Sequence, residues 1–167
     1  MHTFHRLVRR PFLPRRALIV SALLLFGAGA AGAATRFRES NLFGTFAAVG
    51  TGDGHVSASV GTTTYDGAGG VTRSLVVNAP DGAGGRRLLT FEGVGTYEVH
   101  ADGTGVIFLT NRINGGTTIQ VTIDFVIQES DPVGKGGQRR VTELYGIQRE
   151  AGTTVSLVTS SETLIAP

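Results

Sequence analysis

The sequence predicts an all-β fold: a single eight-stranded antiparallel up-and-down barrel that follows an N-terminal signal peptide. Apolar and polar side chains alternate with a period of two along several segments, which is typical of half-buried strands. Short turns rich in Asp and Gly separate these segments, so consecutive strands are expected to form hairpins. Closing such a meander into a barrel removes the unpaired edges that an open sheet exposes to water. A two-sheet β-sandwich is the alternative.

The clearest strand is TTIQVTIDFVIQES, residues 117–130, where apolar side chains occupy the odd positions from Ile119 to Ile127. A second alternating run, residues 88–100, is long for a flat strand. Glycines at positions 93 and 95 on its apolar face predict a bend there. The predicted strands are residues 42–50, 56–65, 70–78, 87–100, 104–112, 117–128, 139–149 and 153–164.

Residues 1–34 have the composition of an export signal. The segment 1–16 carries five arginines and no acidic residue, and residues 17–34 are apolar and grade into small residues, as a signal-peptidase site requires. RRPFLP within the basic part resembles the twin-arginine signature, and an ordinary Sec signal is equally compatible. An uncleaved membrane anchor is the alternative. We expect export to the periplasm or the extracellular space.

Cleavage after Ala34 changes the charge of the protein. The full chain has a formal net charge of +2, but the remaining 133 residues carry ten basic and thirteen acidic side chains, a net charge of −3. A nucleic-acid partner is not expected, because such binding needs a basic face.

The chain contains no cysteine, which excludes lipid attachment at a lipobox and disulfides. The predicted organisation is a signal peptide at 1–34, a short linker at 35–40 and a barrel at 41–165, with no membrane association after cleavage.

An Asp-Gly-x-Gly motif occurs at Asp66, Asp81 and Asp102. A calcium loop needs further oxygen ligands at alternating positions, which these motifs lack. A phosphate-binding loop needs a last glycine and a following helix, which are also missing. Asp and Gly are the residues that hairpin turns prefer, so we interpret the motifs as turns. No metal site and no cofactor is expected.

Nucleophilic catalysis finds no support, since the chain has no cysteine and no G-x-S-x-G elbow. His55 and His100 are interpreted as surface residues. Alternation in RVTELYGIQRE instead places Glu143 and Tyr145 on one face. If that face points inward, Glu143 becomes a buried carboxylate beside a phenol and is suited to acid–base chemistry. The alternative is a glutamate at the barrel rim.

The order of motifs resembles a family of secreted bacterial allene oxide cyclase-like barrels, which are related in shape to dirigent proteins and calycins. The matching elements are Gly44-Thr45-Phe46, the turn at 66–70 and the segment 95–105, within about residues 41–150. The resemblance implies an eight-stranded barrel with an apolar interior. It also implies a cyclase type of chemistry in which a carboxylate assists an apolar substrate, with Glu143 as the candidate.

We therefore expect an exported barrel that binds a small apolar molecule in its interior. One alternative is a cyclase or isomerase that uses Glu143 as its acid–base group. Another is a structural or interaction module of the cell envelope that forms homo-oligomers through its outer wall. The candidate ligand contacts come from the apolar faces of the strands and are Phe91, Tyr97, Ile123, Phe125 and Tyr145.

Overall fold

Eight antiparallel strands close into a barrel in the computed structural model, which describes residues 36–52, 56–134, 138–149 and 159–167. Each strand pairs with its neighbours in chain order, and the first strand pairs with the last. A short 3₁₀ helix, Glu39–Asn41, precedes them. The strands are β1 (Phe43–Gly52), β2 (Ser57–Asp66), β3 (Gly70–Pro80), β4 (Arg86–Val99), β5 (Thr104–Ile113), β6 (Thr118–Val133), β7 (Gln138–Gln148) and β8 (Thr159–Ala166).

The predicted up-and-down barrel is confirmed, and the sandwich alternative is wrong. Most predicted strand ends lie within two residues of the observed ones, and β6 runs further than predicted, to Val133. The predicted signal peptide at 1–34, His55 and residues 153–158 of the last predicted strand lie outside the described residues. Among the residues described, no helix is long and apolar enough to cross a membrane.

The two-residue period decides which side chains face the interior. In β6, Val121, Ile123 and Phe125 are buried, whereas the alternating Gln120 and Val126 are exposed. Glycines on the interior face let neighbouring strands approach closely. A Cβ at Gly95 would overlap the backbone carbonyl oxygen of Phe108 on the paired strand β5, so a side chain there would push the two strands apart.

One end of the barrel is filled by large side chains. Phe46, Tyr65 and Tyr97 stack edge to face there, with ring centroids 5.4 Å and 5.1 Å apart. The hydroxyl of Tyr97 donates to the carbonyl oxygen of Leu42 at 2.7 Å, which ties the segment before β1 across this end. Phe37 packs against the same core. The segment predicted as a linker therefore helps to close one end of the barrel.

A bulge between β6 and β7 corrects the predicted face of β7. Ile127 pairs with Leu144 and Ser130 pairs with Val141, and between these pairs the regular register is interrupted where Glu129 pairs with Glu143. Consequently Val141 and Leu144, three positions apart, both point inward and are buried. Tyr145 lies on the outer wall and is 45% exposed, and Glu143 lies on the same side of the strand as Tyr145 and is only partly buried. The inward orientation predicted for Tyr145 as a ligand contact is wrong, and of the two alternatives for Glu143 the inward one is not observed.

The Asp-Gly-x-Gly motifs are hairpin turns, as predicted. Asp66 Oδ1 accepts hydrogen bonds from the backbone N–H groups of Ala68 at 2.7 Å and Gly70 at 2.8 Å. Asp81 makes the equivalent bonds, to Ala83 and Gly85, in the next turn, between β3 and β4. The glycine after each aspartate has a positive φ, 76° at Gly67 and 81° at Gly82. Each carboxylate thus holds its own turn together.

These turns make stability depend on pH in the acid range. Hydrogen bonds from the backbone hold the pKa of Asp66 and of Asp81 below its ordinary value. Their stabilising contribution is therefore complete above the unfolded pKa of about 3.9 and is lost as the pH falls through the lower folded pKa. Asparagine accepts the same bonds but does not titrate. We expect the melting temperature of the double variant Asp66→Asn/Asp81→Asn to fall less than that of the wild type between pH 5 and pH 2.

Thermal unfolding followed by circular dichroism measures this difference. The control is Glu98→Gln, which removes an exposed carboxylate that lies outside the turns. An acid-induced loss that is as steep in the double variant as in the wild type would show that the turn carboxylates do not contribute.

Candidate ligand-binding cavity

The end of the barrel opposite the aromatic cluster holds a partly enclosed cavity of about 200 Å³. Its rim lies beside Gly52, Ser57 and Ala79, where β1, β2 and β3 reach this end of the barrel. Alternation in β3 and β4 turns their apolar residues inward at this level. The wall is largely aliphatic and aromatic: Leu75, Val77, Leu89, Phe91, Ile119 and Val121. Among the residues that the structure describes, the barrel interior is thus filled at one end and holds a cavity at the other.

Two polar side chains, Arg73 and Asn111, lie at the boundary between the cavity and the filled half. Both line the cavity, and both are more than nine-tenths buried. Arg73 pairs with Gly93 in the β3–β4 ladder, and Gly93 pairs with Asn111 in the β4–β5 ladder. The three residues therefore form one row across adjacent strands, on the inner face of the barrel. This row is the floor of the cavity.

Arg73 belongs to a buried network below the floor. Its Nη2 donates to Oε1 of Glu162, and its Nε donates to Thr63 Oγ1 at 3.0 Å. Glu162 is fully buried and accepts two further hydrogen bonds, from Thr63 Oγ1 at 3.1 Å and from the hydroxyl of Tyr65 at 2.8 Å. Both carboxylate oxygens are engaged. A buried ion pair survives when additional hydrogen bonds satisfy its remaining atoms, and this network meets that condition.

The phenol of Tyr65 stays protonated in this network. Burial, followed by the negative charge of Glu162, raises the pKa of Tyr65 well above its ordinary value. Its hydroxyl can therefore act as a donor to Glu162 throughout the neutral range. Glu162 is not among the residues that line the cavity, because Arg73 lies between it and the open space. The network supports Arg73 and does not present a carboxylate to the cavity.

Asn111 carries an unsatisfied polar atom. Its Oδ1 is buried and has no hydrogen-bond partner among the residues that the structure describes. The atom occupies the space where a Cβ at Gly93 would be, so the lack of a side chain at position 93 makes room for it. Leaving a buried acceptor unpaired costs about 1–3 kcal/mol. Such unpaired groups are rare in native proteins, so this atom marks the floor as an unusual position in the interior.

The structure separates the five predicted ligand contacts. Phe91 and Ile123 line the cavity, so their role in binding stays a prediction. Tyr97 and Phe125 are buried in the filled half of the barrel and belong to the core. Tyr145 lies on the outer wall, and Glu143 lies on the same side of β7, so neither lines the cavity that we describe.

Sequence reasoning missed the floor residues Arg73, Asn111 and their partner Glu162. The signal was available in β3, where Arg73 falls on the apolar face between Val71 and Leu75. In β8, Glu162 falls on the same face as Leu164. A charged residue on the apolar face of an alternating strand indicates either a buried partner or a functional site.

The chain matches no protein-family model, and comparisons with curated proteins and with solved structures give no match. The fold and the cavity define its class as a small closed β-barrel with a partly open interior. The resemblance to allene oxide cyclase-like barrels stays a prediction based on the turn motifs.

Proposed function

We propose that this protein binds a small, mainly apolar molecule inside one end of its barrel. The observation that carries the proposal is the uneven filling of the interior: one end is packed with large side chains, and the other holds a cavity of about 200 Å³ with apolar walls and a polar floor. Apolar walls with a few placed polar groups are the usual composition of ligand sites. The export signal predicted at residues 1–34 supports action outside the cytoplasm.

The cavity volume limits the size of the ligand. Sites for drug-sized molecules usually exceed about 300 Å³, and an apolar cavity of about 150 Å³ accepts benzene. A cavity of about 200 Å³ therefore suits one ring or a short chain. A larger molecule would extend past the rim beside Gly52 and Ala79.

Binding is better supported than acid–base catalysis. Arg73 is the one ionisable side chain among the described residues that line the cavity, and an arginine does not exchange protons at neutral pH. The carboxylate of Glu162 lies behind it and is engaged by three donors. A cyclase or isomerase would need a proton-transfer group within reach of the substrate. Glu143, the candidate for that role, lies on the opposite side of the wall.

Methyl-group NMR tests the proposal with toluene as the probe. We expect chemical-shift changes at the cavity residues Leu75, Val77 and Leu89, because they contact the bound ring. The methyl groups of Leu42 and Val141 in the filled half serve as internal controls and should not move. Absence of any shift at saturating toluene, or equal shifts in both halves, would overturn the proposal.

A further inference from the structure

The floor of the cavity has hydrogen-bond donors to spare. A guanidinium group has five N–H donors, and the hydrogen bonds of Arg73 to described residues use Nε and Nη2. The two N–H groups on Nη1 are left for a further acceptor. Arg73 lines the cavity, so a ligand there can supply this acceptor to the Nη1 donors. A pure hydrocarbon would cover these donors without satisfying them, which is costly.

Asn111 adds a second polar contact on the same row. Only Gly93 stands between Arg73 and Asn111 across the three strands. A Cβ at position 93 would lie 3.5 Å from the Cβ of Arg73 and would overlap Asn111 Oδ1, so both side chains flank the same small space. The amide of Asn111 has donors on one side and an acceptor on the other. With its oxygen over Gly93, the N–H₂ group of the same amide is the group that a ligand acceptor would meet, and Oδ1 itself stays without a partner.

Charge selects among the possible acceptors. The positive charge of Arg73 is already balanced by the fully buried Glu162, so the floor is electrically neutral. A carboxylate ligand would add an uncompensated negative charge at a site whose residues are more than nine-tenths buried. A neutral carbonyl oxygen brings two lone pairs and no charge, and it can accept from both side chains. The floor therefore favours a neutral acceptor over an anion.

We infer that the ligand is a neutral carbonyl compound, a ketone, aldehyde or ester, whose apolar part fills the cavity and whose oxygen accepts hydrogen bonds from Arg73 and Asn111. This inference rests on the proposed binding function and names the chemical class that the site takes. Phe91 and Leu75, which pair with each other in the β3–β4 ladder, lie one step above the floor and contact the apolar part.

Three probes of nearly equal size test the inference by calorimetry on the full chain: acetophenone, ethylbenzene and benzoate. One hydrogen bond to a charged group corresponds to about a tenfold to hundredfold gain in affinity. We expect acetophenone to bind at least about tenfold more tightly than ethylbenzene, and benzoate to bind most weakly. The infrared carbonyl stretch of bound acetophenone should shift to lower frequency, as hydrogen bonding requires.

The variant Asn111→Leu keeps the Arg73–Glu162 pair and removes one of the two contacts. It should reduce the preference for acetophenone over ethylbenzene and should reduce the infrared shift. Its matched control is Asn78→Leu, which replaces an exposed asparagine on the outer face of β3.

Equal affinity for acetophenone and ethylbenzene would overturn the inference and leave the proposed function standing. Tightest binding of benzoate would also overturn it, in favour of an anion site. Failure of all three probes to bind would overturn both proposals.

Discussion

The variant Arg73→Met should unfold with a free energy about 3–5 kcal/mol lower than that of the wild type. The substitution keeps an unbranched side chain in the barrel but leaves the fully buried Glu162 without its positive partner. The hydroxyls of Tyr65 and Thr63 still donate to that carboxylate, but they carry no charge to balance it. Urea denaturation followed by circular dichroism measures the loss.

Two further variants separate the charge effect from a general loss of packing. In Arg73→Met/Glu162→Gln the remaining buried group is neutral, so the double variant should be more stable than Arg73→Met alone. Arg149→Met breaks the ion pair with Asp124 on the outer wall, whose side chains are 56% and 43% exposed. Exposed pairs contribute at most about 1 kcal/mol, so this loss should be small. Equal losses for Arg73→Met and Arg149→Met would contradict the buried network.

The barrel was predictable because the sequence features that specify it, turn motifs and two-residue alternation, each lie within a short segment of the chain. Asp66 and Asp81 sit in turns whose carboxylates bond to backbone N–H groups two and four residues later, so each motif specifies its own hairpin. Two-residue alternation then assigns a face to each position, as in β6, where Val121, Ile123 and Phe125 all point inward as predicted. Consecutive hairpins with one apolar face leave few arrangements other than closure.

The face of β7 was not predictable from β7 itself. Its inward positions change parity at a bulge, and the bulge is visible only in the pairing with β6, where the register is interrupted at Glu129 and Glu143. The pattern within RVTELYGIQRE continues past the bulge without interruption, so it left an inward Glu143 open and placed Tyr145 on the wrong side. A register shift belongs to two strands and leaves little trace in either one.

The floor of the cavity was hidden for a different reason. A buried arginine is unfavourable by itself, so Arg73 reads as an outward residue until its partner is known. That partner, Glu162, lies 89 residues later in the chain and becomes a neighbour only when the barrel closes. The division of the interior into a filled end and an end with a cavity also depends on rows of residues that run across several strands, and the sequence of one strand does not show such a row. At the level of the floor, Gly93 has no side chain, and the side chain of Asn111 on the paired strand occupies the space that it leaves.

The variant Leu75→Trp should close the cavity and abolish most of the binding of acetophenone. Leu75 lies on the inner face of β3, two positions from Arg73, and an indole there occupies the space that the apolar part of a ligand would fill. Losing burial of on the order of 100 Å² of apolar ligand surface corresponds to about 2.5 kcal/mol, or roughly a 70-fold weaker affinity. Calorimetric titration with acetophenone measures the change.

The neighbouring residue offers a matched control, because Val76 lies on the outer face of the same strand and is 41% exposed. Val76→Trp adds the same indole on the outer face of β3, so it should bind acetophenone as the wild type does. The natural chain contains no tryptophan, so the fluorescence of each variant reports a single indole. Emission should lie at shorter wavelength for Leu75→Trp than for Val76→Trp, since the first indole is shielded from water. If Leu75→Trp has the blue-shifted emission and still binds acetophenone at wild-type affinity, the ligand does not enter the barrel, and the site must lie elsewhere on the protein.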